Sequence, residues 1–102
     1  MRFARNVHFQ IKNGQTDKFD SVFTNEVLPL LKLQKGFKEE LTLANTQHTI
    51  GTPRIGISVW EDRPSAEAYN TNTYPQVLAK LSPMLDGTPR VETYDVTASL
   101  SA

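Results

Sequence analysis

The chain contains no cysteine. That one absence removes disulfides, thiolate nucleophiles and cysteine-ligated metals or clusters together. It also has no excess charge of either sign, since 11 Lys and Arg balance 11 Asp and Glu. A balanced chain builds no long-range field to gather phosphates, which argues against nucleic acid or an anionic membrane surface as a partner. No apolar run approaches the roughly 18 residues of a membrane span. The opening Met1-Arg2-Phe3-Ala4-Arg5-Asn6 carries charge with no apolar stretch behind it, unlike a signal peptide. The expected location is the cytoplasm. Gly-rich phosphate loops, nucleophile elbows and internal repeats are all missing. Of the two histidines, His8 and His48, neither has a carboxylate at ligand spacing, so no metal is expected.

What remains is an ordinary folded composition, 38 % hydrophobic and 22 % charged over 102 residues, enough for one domain. Phe3 to Lys12 alternates as a strand, with Phe3, Arg5, Val7, Phe9 and Ile11 on one face and Ala4, Asn6, His8, Gln10 and Lys12 on the other. After Asn13-Gly14, Thr16 or Asp17 is placed to cap a helix whose apolar stripe is Phe19, Val22, Phe23, Val27, Leu30 and Leu31. Pro29 predicts a kink or a weakened last turn, and Gly36 a left-handed stop. Phe37 to Ala44 and Arg54 to Trp60 alternate as two further strands around an exposed, turn-rich loop. Asp62 or Ser65 starts a short helix through Tyr69, a break follows over Asn70 to Pro75, and a second helical piece runs from Tyr74 to Leu81. Arg90 to Ala98 is the fourth strand. Strand, helix, strand, strand, helix, strand predicts an α+β domain of ferredoxin-like βαββαβ topology, with the helices on one face of a four-stranded antiparallel sheet.

Periodicity splits each strand into two faces. Ile55, Ile57 and Val59 are assigned to one face of the third strand, and Phe37, Glu39, Leu41 and Leu43 to one face of the second. The other sheet face then offers Ala4, Asn6, His8, Thr42, Ala44, Ser58, Trp60 and Tyr94 or Val96. Small, uncharged residues with a tryptophan suit a surface covered by a second sheet, so a homodimer is expected through this face. Glu39 is the carboxylate to watch: burial among aliphatic side chains demands pairing, so a strand edge, a bulge or pairing with Arg5 is expected ahead of a raised-pKa base.

In order and spacing, Val27-Leu28-Pro29-Leu30-Leu31, Lys35-Gly36-Phe37, Ile57-Ser58-Val59-Trp60-Glu61, Ala66-Glu67-Ala68-Tyr69 and Val91-Glu92-Thr93-Tyr94-Asp95-Val96 resemble the antibiotic-biosynthesis-monooxygenase group of dimeric α/β-barrel domains. The resemblance spans nearly the whole chain. It implies a homodimer whose sheets pack into a barrel, with a pocket in each subunit between sheet and helices. The group includes cofactor-free oxygenases of aromatic polyketides, quinol oxygenases, heme-degrading enzymes and domains of no known reaction. The heme-degrading branch uses an Asn, a Trp and a His that fall here at Val7, Tyr69 and near Ala79, so heme chemistry is not implied.

The resemblance and the residues together nominate Tyr69, Tyr74, His8 and Asn6 as hydrogen-bonding catalytic candidates. Phe9, Phe23, Val27, Trp60 and Leu78 are nominated as walls for a small hydrophobic or aromatic molecule. Each has a plainer reading beside it: core packing for the tyrosines, core or dimer packing for Trp60, a structural role for His8, and solvation for His48. The expected function is a cofactor-free monooxygenase-like activity on an aromatic or quinol-type substrate. The alternative is a ligand-binding or stress-associated homodimer without turnover.

Overall fold

A computed structural model describes residues 1–47 and 53–102. The alternating segments form strands β1 (Phe3–Phe9), β2 (Phe37–Ala44), β3 (Arg54–Trp60) and β4 (Arg90–Asp95). They make one antiparallel sheet in the order β2-β3-β1-β4, the ferredoxin-like arrangement expected. Helices α1 (Thr16–Val22), α2 (Leu28–Lys32), α3 (Arg63–Asn72) and α4 (Tyr74–Leu81) pack on one face. Ile11 lies beyond β1 and forms only an isolated bridge to Leu85. His48 and most of the turn-rich loop around it fall outside the described residues.

The first helical region departs from a regular α-helix. Between α1 and α2 the chain makes a π-helical segment, Phe23–Val27. Pro29 lacks an N–H, and its ring crowds the carbonyl of Asn25 in a regular helix. Widening the turn ahead of it relieves that conflict, so the disturbance sits upstream of the proline rather than in the last turn. Thr16 is the first helical residue rather than the cap, and Gln15 before it makes no side-chain capping bond. At α3 the cap is Asp62, which accepts a bond from the Ser65 N–H at 2.9 Å. That helix runs on to Asn72, past the expected end at Tyr69, leaving Thr73 alone as the hinge to α4. Gly36 has φ +80°, and a Cβ there meets Ser65 Cβ at 2.6 Å. Both the turn and the packing of α3 therefore require glycine.

Register corrects the assignment of faces. Phe3 pairs with Trp60, Arg5 with Ser58 and Val7 with Gly56, and directly opposed residues share a face. The helix-covered side of β3 is therefore Gly56, Ser58 and Trp60. Thr42 and Ala44 share that side by pairing with Gly56 and Arg54. The open side carries Leu41, Leu43, Ile55, Ile57 and Val59 beside Ala4, Asn6 and His8. Alternation separates two faces without saying which one meets the helices, and aliphatic character pointed to the wrong one. Trp60 is completely buried in the core, with Phe37 edge-on at 5.6 Å and Tyr69 at 4.9 Å between ring centres.

A bulge between Phe37 and Glu39 completes the correction. The extra residue puts Phe37 against Trp60 but turns Glu39 to the open side, where it is exposed. Glu40 consequently points under the helices, so it and not Glu39 is the inward carboxylate.

Candidate functional site

Three strands each contribute one polar residue to a row under the helices. Arg5 on β1 pairs with Ser58 on β3, and Ser58 pairs with Glu40 on β2. Strands lie about 4.8 Å apart, so the row spans roughly 10 Å from guanidinium strand to carboxylate strand. Ser58, the small member between them, accepts a hydrogen bond from the Trp60 indole N–H at 2.9 Å.

Arg5 is only 3 % exposed. Its Nη2 donates to Asn70 Oδ1 at 2.9 Å, and its guanidinium stacks 5.1 Å from the Tyr69 ring centre and 4.6 Å from that of Tyr74. Burial weighs against its charge, and the two tyrosines offset part of that penalty. The guanidinium remains a cation. Burial also raises both phenols above their usual range, so they stay neutral. Among the described residues no carboxylate forms a direct ion pair with Arg5.

Glu40 sits at the far end of the row. Burial pushes its carboxyl up to about 8, against an opposing pull from Arg5. Its Oε1 lies 3.1 Å from the point where a Cβ on Gly56 would stand, next to the rings of Phe9 and Phe23. Glycine at that position leaves room for the carboxylate inside an otherwise aromatic wall.

Above the row is a tight slot of about 20 Å³, room for about one water molecule, whose walls include Phe9, Phe23, Val27, Tyr69, Tyr74 and Val77. The π-helical segment supplies Phe23 and Val27, both aimed inward. A wider groove of about 370 Å³ adjoins it and shares Phe23 and Glu40 with it. An ion pair between Arg54 and Asp20, at 3.1 Å, flanks that groove and ties β3 to α1. The slot has room only for the edge of a ligand whose bulk lies in the groove. Its aromatic walls, with a cation at one end of the floor and a carboxylate at the other, suit the acidic edge of a flat apolar molecule.

Of the residues nominated from sequence, Tyr69, Tyr74, Phe9, Phe23 and Val27 meet around this slot. Trp60 lies one layer behind it, stacked on Tyr69, and Leu78 packs at the edge of the core without lining the slot. Asn6 and His8 lie on the opposite side of the sheet, where His8 Nε2 stands 3.6 Å from Glu92 Oε1. The structure therefore does not bring them together with the phenols. Sequence reasoning overlooked Arg5, Ser58 and Glu40 as a unit. The available signal was Arg5 itself, a cation placed among Phe3, Val7 and Phe9 on an apolar strand face. Among the described residues no cluster of side chains is suited to holding a metal ion, and no helix is long and apolar enough to cross a membrane.

No protein-family model matches the chain, and no curated protein matches it in sequence. Solved structures match its fold over nearly the full length. SnoaB, a cofactor-independent oxygenase from Streptomyces nogalater, is 16 % identical with a TM-score of 0.79, covering 99 % of this chain and 98 % of its own. A monooxygenase from the gene ActVA-Orf6 of Streptomyces coelicolor, in complex with the ligand Nanaomycin D, is 20 % identical with a TM-score of 0.77, covering 98 % and 91 %. A putative antibiotic biosynthesis monooxygenase from Bacillus cereus is 19 % identical with a TM-score of 0.74, covering 100 % and 97 %. The fold is that of the antibiotic-biosynthesis-monooxygenase-like proteins. At these identities the likeness is one of fold.

Proposed function

We propose that this chain is a cytoplasmic, homodimeric oxygenase-type protein whose slot and adjoining groove together hold a flat, weakly acidic aromatic molecule of the phenol or quinol class for reaction with O₂. The observation that carries the reading is buried Arg5, stacked on two neutral phenols and left without a carboxylate of its own. A cation kept in an aromatic slot at the expense of its solvation favours an anionic ligand edge. A phenolate or enolate is electron-rich enough to reduce O₂ itself. Where a ring CH₂ becomes C=O, its two hydrogens leave with one oxygen atom as water, and no further reductant is required. The protein's share is orientation, water exclusion and stabilisation of the anion. Solved structures of the same fold described as a cofactor-independent oxygenase and as a monooxygenase holding Nanaomycin D support this reading.

Support for the homodimer comes from the open sheet face, where Leu41, Leu43 and Tyr94 are 48, 44 and 46 % exposed beside half-buried Ile55, Ile57 and Val59. An apolar surface of that kind is what a second sheet covers.

Anthrone is a suitable test substrate, because it is flat and enolises to a phenol. Added to the purified protein, it is expected to consume one O₂ per ketone formed, faster than in buffer alone. Arg5→Met is expected to lower that rate at least tenfold, about 1.4 kcal/mol of barrier. Saturable binding without oxygen uptake would select the alternative, a ligand-binding dimer without turnover. No binding at all would overturn both readings of the slot.

A further inference from the structure

The bulge in β2 does more than correct a face assignment. Among the described residues it is the sheet's one register shift, and its effect is to set Glu40 rather than Glu39 opposite Ser58, under the helices. Gly56, directly across from Thr42, supplies the space that this carboxylate fills. Among the described residues nothing donates a hydrogen bond to Glu40, although Asp20 close by is held by Arg54 through two bonds of 3.1 Å. Glu40 lines both the slot and the adjoining groove. A carboxylate that the fold positions but does not occupy is available to a ligand.

We propose that Glu40 is the proton acceptor of the slot: a phenolic O–H docked above Ser58 gives its proton to the Glu40 carboxylate, and the phenolate left behind is held by Arg5. The O–H bond breaks, a carboxyl O–H forms, and the electron pair stays on the ligand oxygen, so no charge is gained or lost within the site. The proposal rests on the phenol-binding reading of the slot and adds the group that ionises the ligand. The charged and titratable groups facing Glu40 are Arg5 on β1, Tyr69 on α3 and Tyr74 on α4, with the Asp20–Arg54 pair at the groove. A base poised near neutrality beside a fixed cation suits a weakly acidic phenol far better than an ordinary surface carboxylate does.

The test uses 2-naphthol, whose anion absorbs at longer wavelength than the neutral form, and needs no turnover. At pH 8.5 bound naphthol is expected to show the anion spectrum. Calorimetry in two buffers of different ionisation enthalpy is expected to show almost no proton released, because Glu40 keeps it. In Glu40→Gln the bound anion fraction should fall at least tenfold, or the anion should appear only with one proton delivered to the buffer. Glu40→Asp, which restores a shorter carboxylate, should recover part of the anion signal. If Glu40→Gln binds naphthol with the same spectrum and proton count as the parent, the acid–base assignment is wrong while the slot stands. If the parent does not bind naphthol, the phenol-binding reading falls and this inference falls with it.

Discussion

At pH 9 the Glu40→Gln variant should melt on the order of 10 °C above the parent protein, and at pH 4 the two should melt together. The Glu40 carboxyl is pushed up to about 8 by burial, whereas in the unfolded chain it titrates near an ordinary glutamate. Between those two values the native state holds a proton that the unfolded state has released. Stability therefore falls as pH rises through this window and stays low above pH 8. Below the unfolded value both states are protonated, so a neutral amide changes little. Allowing for solvent that reaches the carboxylate through the groove, the difference at high pH is on the order of 2–3 kcal/mol. Thermal melts of both proteins across pH 4 to 9 measure it directly. Parallel curves for parent and variant would mean that Glu40 is solvated and has no place in the slot.

On the proposed dimer through the open sheet face, the double variant Leu41→Lys with Ile57→Lys should be monomeric at micromolar concentration while the parent dimerises. The two residues are direct cross-strand partners at the middle of the open face. Two-fold packing of that face brings four new ammonium groups into one interface, each losing its hydration without a counter-charge. Neither side chain belongs to the helix-covered core, so the monomer should keep its fold and most of its secondary structure. Sedimentation velocity separates the two states. A parent protein that is monomeric at micromolar concentration, or a variant that dimerises equally well, would remove the sheet face as the interface.

Much of this architecture is legible in the sequence because apolar spacing and punctuation agree along most of the chain. The helical stripe from Phe19 to Leu31, the glycine at 36 and the aspartate at 62 place the helices and their limits to within a few residues. What alternation does not carry is absolute phase. Ile55, Ile57 and Val59 have every property of a core row, yet pairing with Ala4, Asn6 and His8 puts them on the open side. Trp60, assigned by the same logic to the dimer face, is instead the largest fully buried side chain of the core. The bulge at Phe37–Glu39 is beyond periodicity altogether, because it shifts the phase within one strand. That shift exchanged Glu39 for Glu40 and hid the Arg5–Ser58–Glu40 row, which exists only once three strands are in register. The phenols Tyr69 and Tyr74 were recognisable from the helical break between them. Asn6 and His8 were attractive for their chemistry alone, and strand parity sends them to the other side of the sheet.

The most direct test of the slot as the ligand site exploits the single tryptophan of the chain. Its indole N–H is bonded to Ser58 at the centre of the polar row, and it gives one resolvable signal in a nitrogen-correlated NMR spectrum. Titration with 2-naphthol should move that signal saturably, together with the Arg5 Nε–H, while amides of Leu41, Leu43 and Ile57 on the open face stay in place. An indole signal that does not move while naphthol shifts the open face, or while naphthol shifts nothing, would contradict the account.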